Sequence, residues 1–161
     1  MNKVNAPRYD ALPLDMGVLV RLLVIGAITG IVGWLLYMAI SDYFIVPVFC
    51  RSADAFTICN NGGAIAWVSA HVIALVAAVA VMARMAIYRP LLVGLAVLAS
   101  LWSAQAWLGE LTWQQGMAWQ AVLFALGFAL YGWLARASNF LYVVLATVVF
   151  ILVSRVVLLF A

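Results

Sequence analysis

Residues 17–40 read GVLVRLLVIGAITGIVGWLLYMAI, a run whose one charge is Arg21. A helix rises 1.5 Å per residue and the hydrocarbon core of a bilayer is about 30 Å thick, so about 20 apolar residues are enough to cross it. Helix is the only reading for such a run, because an open strand leaves backbone groups unpaired in lipid. The rest of the chain resembles this stretch in composition. Hydrophobic residues make up 70% of the 161 positions, charged residues 8%, and the mean hydropathy is +1.21. A soluble domain of this length carries about 40 charged residues, and a water-facing surface cannot be made from what is left here. That excludes a soluble enzyme. It also excludes a nucleic-acid partner, because the eight cations are scattered singly and make no basic stripe.

Apolar content divided by span length gives about five crossings. The breaks agree with that count. The first span, 17–40, stops at Ser41-Asp42. A second, 64–88, ends at Arg89-Pro90, since proline disfavours helix in the residue before it. The third is 91–108, ending at Gly109-Glu110, and the fourth is 117–134. After a turn at Arg136-Ala137-Ser138-Asn139 the fifth covers 140–160. The expectation is an all-α polytopic transmembrane helical bundle, one domain over 17–161, with a cytoplasmic segment at 1–16 and an outer loop at 41–63. The apolar run after residue 16 is too long for a signal-peptide core and has no small-residue cleavage site behind it, so the first span is expected to remain in the mature protein.

Cations set the orientation. Lys3, Arg8, Arg21, Arg84, Arg89 and Arg136 fall on one side of this map, while Arg51 sits opposite with Asp42, Asp54 and Glu110. The positive-inside rule then puts the amino terminus in the cytoplasm and, with an odd span count, the carboxyl terminus outside. The location expected is a cell membrane, read as a bacterial inner membrane. Both cysteines, Cys50 and Cys59, lie in the outer loop, where a disulfide persists and stabilises so short a loop by roughly 2–3 kcal/mol. A structural staple is preferred to a redox pair, whose usual spacing is Cys-x-x-Cys. The loop is apolar for its position, with Tyr43, Phe44, Ile45, Val46, Val48 and Phe49. Pro47 is expected to interrupt the first helix, and Asn60-Asn61-Gly62-Gly63 to turn the chain before the second.

Gly26, Gly30 and Gly33 in GAITGIVG line one helix face and let another backbone approach closely. An internal packing seam is preferred to a dimer face, with the alanine-rich second span as its counterpart. Gly127 and Gly132 are five apart and do not share a face. Trp67, Trp107, Trp113 and Trp119 gather toward the outer surface, where an interfacial aromatic belt accounts for them.

A polar group at membrane depth is costly and invites a functional hypothesis. Counted inward from the outer surface, Arg155, His71, Gln105, Glu110 and Gln120 share one layer of the outer leaflet. They define a candidate anion or lipid-headgroup site around Arg155, weighed against simple snorkelling of that arginine, which is the preferred reading. One histidine supplies neither paired haem ligation nor a metal cluster, and no serine has the surroundings of an activated nucleophile. No cofactor, metal or catalytic residue is expected. The leading function is therefore an accessory or structural subunit of a membrane complex, whose partners are membrane lipid and another membrane protein or a second copy. A small transporter or lipid-handling protein comes second, and a membrane enzyme third.

Overall fold

The computed structural model describes residues 16–50, 56–85, 87, 89–102 and 104–136, with short pieces inside 144–156; the side chains of residues 49, 56–60 and 106 fall outside that description. Every described element is helical: α1 (Met16–Ile40), a π-helical turn (Ser41–Ile45), α2 (Val46–Phe49), α3 (Phe56–Arg84), α4 (Pro90–Leu101), α5 (Ala104–Leu108) and α6 (Trp113–Leu134). Three helical stretches are long and apolar enough to cross a bilayer: Met16–Val48, Asn61–Arg84 and Trp113–Leu134. This is an all-helical membrane protein.

The expected five crossings reduce to these three among the described residues. The third expected span, 91–108, is two helices. α4 has 12 residues, a length of roughly 18 Å, well short of a bilayer core. Near its end, Ser100 turns its hydroxyl back onto the Ala96 carbonyl at 2.8 Å and also pairs with the Tyr131 hydroxyl on α6. The ladder of α4 stops one residue later, and Trp102 lies in the turn. Ser100→Ala is expected to cost about 1 kcal/mol of stability, the net worth of one hydrogen bond, read as an earlier unfolding midpoint in detergent. More than half of the fifth expected span, 140–160, lies outside the described residues, Arg155 with it; helical pieces at 144–145, 147–149 and 151–153 are described.

The expected outer loop is largely helix. α1 runs on through the π turn into α2, and α3 begins at Phe56 rather than at 64. The π turn answers Pro47. Proline brings no N–H, and its ring clashes with the carbonyl four residues back, so the ladder must open there. Here the Val46 N–H reaches back to the Ser41 carbonyl, five residues away, and Pro47 then sits in the first turn of α2. The two glycines expected to turn the chain are helical. A Cβ on Gly62 would overlap the buried Ile45 side chain, so this glycine lets α3 close onto the π turn. Cys50 ends α2, its N–H bonded to the Val46 carbonyl at 3.2 Å. Cys59 belongs to α3, with its side chain outside the described residues, so the expected staple falls outside them as well.

The most extensive packing is α1 on α6, followed by α1 on α3. The register of the first pair is antiparallel and regular. Gly26 lies on Phe124, Gly30 on Gln120 and Trp34 on Gly116, so each turn gained along α1 is a turn lost along α6. The core joins Leu22 and Ile25 of α1, Leu75 and Met82 of α3, Val93 and Val97 of α4, and Phe124, Phe128 and Tyr131 of α6. The outer sides are equally apolar: Val20, Val24, Ile28, Val32 and Leu35 follow one exposed line along α1. With lipid as the solvent, burial of apolar area does not choose the inner face, and close backbone approach and polar bonding do.

The same register sorts the charges. Arg21 lies in the second turn of α1, Arg84 ends α3, Arg89 precedes α4 and Arg136 follows α6, all toward one end of the bundle. Asp42, in the π turn, and Glu110, just before α6, stand at the other. Arg89 has φ 53° and ψ 54°, left-handed values for a residue that the following Pro90 bars from the right-handed helical region.

Candidate functional site

Small residues on α1 create the room for the polar groups of its neighbours. A Cβ built on Gly30 would fall 2.5 Å from the Gln120 carbonyl oxygen, and one on Gly26 2.6 Å from that of Phe124. Gly33 faces α3 instead, where its Cβ would meet the His71 ring at 2.6 Å. The glycine seam is therefore internal, and its counterpart is divided. α6 receives Gly26 and Gly30, while the alanine-rich α3 receives only Gly33. Gly127 and Gly132 on α6 do serve different neighbours, Val97 and Leu22 respectively.

His71 and Gln120 meet behind this seam, both buried. The His71 Nδ1 lies 2.8 Å from the Trp67 carbonyl. A carbonyl only accepts, so Nδ1 carries the proton. In the neutral ring Nε2 is then an acceptor, and the Gln120 carboxamide N–H donates to it across 2.6 Å. The ring stacks on Trp67, centroids 4.2 Å apart at 27°, and stands 5.2 Å from Phe124. One turn of each of three helices is thus locked at a single point. The carboxamide oxygen of Gln120 and the indole N–H groups of Trp34 and Trp67 are buried with no hydrogen-bond partner. They are the exceptions in a core where Thr29 bonds the Ile25 carbonyl at 2.7 Å and Ser100 bonds Ala96 and Tyr131.

The other members of the expected polar layer do not join this pair. Gln105, half-buried on α5, has its amide nitrogen beside Gly63. Gly63 precedes His71 by eight residues, roughly 12 Å along α3. Glu110 is exposed at the rim. Arg155 lies outside the described residues.

Above the pair, toward the acidic end, the bundle opens into a cavity of about 210 Å³. Trp34, Tyr37, Met38, Ser41 and Asp42 form one wall, a continuous stripe at helical spacing. Leu108, Gly109, Leu111 and Trp113, around the start of α6, form the other. Thr112 holds that start by a capping box, with its N–H bonded to the Gln115 side chain at 3.3 Å. The Trp34 and Tyr37 rings lie 5.3 Å apart, inclined at 50°. Sequence reasoning left out Trp34, Tyr37 and Asp42. The signal was present, because 34, 37, 38 and 41 recur on the face that already carries Gly26, Gly30 and Gly33.

Compared with protein-family models, with curated proteins and with solved structures, the chain matches none.

Proposed function

We propose that this chain is a non-catalytic integral membrane protein that acts as an accessory or structural subunit of a membrane complex. The observation that carries this reading is where the buried polar groups are spent. Thr29, His71 and Ser100 bond within the bundle, and the His71–Gln120 bond ties α3 to α6 beneath a seam of direct backbone contact. Such a bundle is a rigid body with apolar flanks, and the exposed Trp107–Trp119 pair, centroids 5.6 Å apart, adds aromatic anchors for lipid or a partner. The membrane is a cell membrane, with the arginine end in the cytoplasm and the Asp42–Glu110 end outside. The fuller arrangement belongs to the same proposal: five crossings, and a Cys50–Cys59 bridge on the outer side. A reagent confined to the cytosol that labels either cysteine in intact cells would overturn the orientation and the bridge together.

Native mass spectrometry of the protein extracted from its own membrane tests the function. A larger partner in fixed ratio is the expected result, and a chain released alone or as a homo-oligomer overturns the subunit reading. A small lipid-handling or transport protein is the second reading, favoured by the cavity beside Asp42.

A further inference from the structure

We propose that the cavity at the acidic end binds an organic ammonium group, presented either by a lipid headgroup or by a free amine. The inference does not rest on the subunit reading. Its walls supply what an alkylammonium ion needs. Tyr37 and Trp113 line the cavity with aromatic rings, a ring type whose quadrupole attracts a cation, and the buried Trp34 backs them. Asp42 adds a carboxylate, and it is exposed, so it stands where a ligand enters rather than being consumed in the core. Ser41 and Met38 complete the α1 wall with a hydroxyl and a thioether, neither of them positive.

The surroundings favour the same sign of charge. The arginines at the described helix ends all lie at the far end of the bundle, and Glu110, next to the lining residue Gly109, adds a second carboxylate near the cavity. None of the described lining residues is a cation. Size narrows the ligand further. A cavity of about 210 Å³ lies below the roughly 300–1,000 Å³ of pockets that enclose drug-sized molecules. It suits a headgroup or a small amine, with any attached chains lying along the apolar flanks of the helices.

The test uses the full chain in nanodiscs of phosphatidylglycerol with an equal share of phosphatidylethanolamine. Native mass spectrometry reads which lipid stays bound on release. Ethanolamine and tetramethylammonium are titrated in parallel against nanodiscs of phosphatidylglycerol alone, followed by tryptophan fluorescence. Retention of phosphatidylethanolamine over phosphatidylglycerol by about tenfold, falling to parity in Asp42→Asn and restored in Asp42→Glu, is the result expected for a lipid ligand. A saturable fluorescence response to the free amines, lost in Asp42→Asn and kept in Asp42→Glu, without enrichment of either lipid, supports the same site with a free amine as its source. Trp113→Leu, at an exposed position, should weaken whichever response is seen by about threefold. Absence of both responses in the wild type, or responses that Asp42→Asn leaves intact while its unfolding midpoint is unchanged, overturns the proposal.

Discussion

Replacing Gly30 by alanine is expected to unseat α1 from α6 and lower the stability of the bundle by about 3 kcal/mol, the upper end of what overpacking costs. The added methyl would lie 2.5 Å from the Gln120 carbonyl oxygen, 2.9 Å from its carbon and 3.0 Å from the Ala121 Cα. All three are backbone atoms, so no side chain can rotate away and one helix must move as a whole. The movement also draws Gln120 off His71, which breaks the bond that ties α6 to α3. Gly127→Ala, on the face of α6 that meets α4, is the matched control. Its methyl meets only the Val97 side chain, at 3.1 Å, and it should cost about 1 kcal/mol or less. Unfolding of both variants in detergent, by denaturant or heat, compares them directly. Equal midpoints for Gly30→Ala and the wild type would show that the two backbones do not touch.

The second large effect is expected at His71. His71→Leu removes the acceptor for the Gln120 carboxamide, which is already short of a partner at its oxygen, and leaves the whole buried amide unsatisfied. The ring's stacking on Trp67 is lost as well. The expected cost is about 2–4 kcal/mol. Gln120→Leu alone should cost less, about 1 kcal/mol, because it strands one imidazole nitrogen but also removes the orphaned oxygen. The decisive variant is the double one. Replacing both by leucine takes away every polar group of the pair together, so the double variant should be more stable than His71→Leu alone. A double-mutant cycle measures this coupling. Additive losses would mean that the two side chains do not bond.

How much of this was legible beforehand depends on which force acted at each position. The identity of a membrane protein followed from composition, and α1, α3 and α6 from runs too long and too apolar to be anything else. Glycines at 26, 30 and 33 correctly marked a face where another helix comes close. They did not say which helix, because α3 offers alanines and α6 offers glycines, and both are admissible partners. Residues 41–63 were misread for a definite reason. Asp42, Pro47 and the Asn-Asn-Gly-Gly run are loop residues by local preference, and the contact of Ile45 with Gly62 overrides that preference. Span 91–108 is described as two helices, α4 and α5, a division that its apolar composition does not show.

The candidate site divides in the same way. His71 and Gln120 were singled out as polar residues at membrane depth, and depth is readable from position along a span. That they bond each other, while Gln105 stands roughly two turns away and Glu110 faces out, depends on helix rotation. Rotation is not readable in a chain whose helices are apolar on every side.

By itself, then, the amino-acid sequence determined the solvent, the helical state and the sorting of charge to two ends, because each is a sum over many residues that no single contact can reverse. The tertiary structure alone decided which helices touch, where Pro47 opens the ladder, and that Trp34, Tyr37 and Asp42 share a cavity with Trp113. Those outcomes rest on a few close contacts between segments far apart in the chain, and in lipid the hydrophobic effect, which would otherwise point each helix inward, gives no direction.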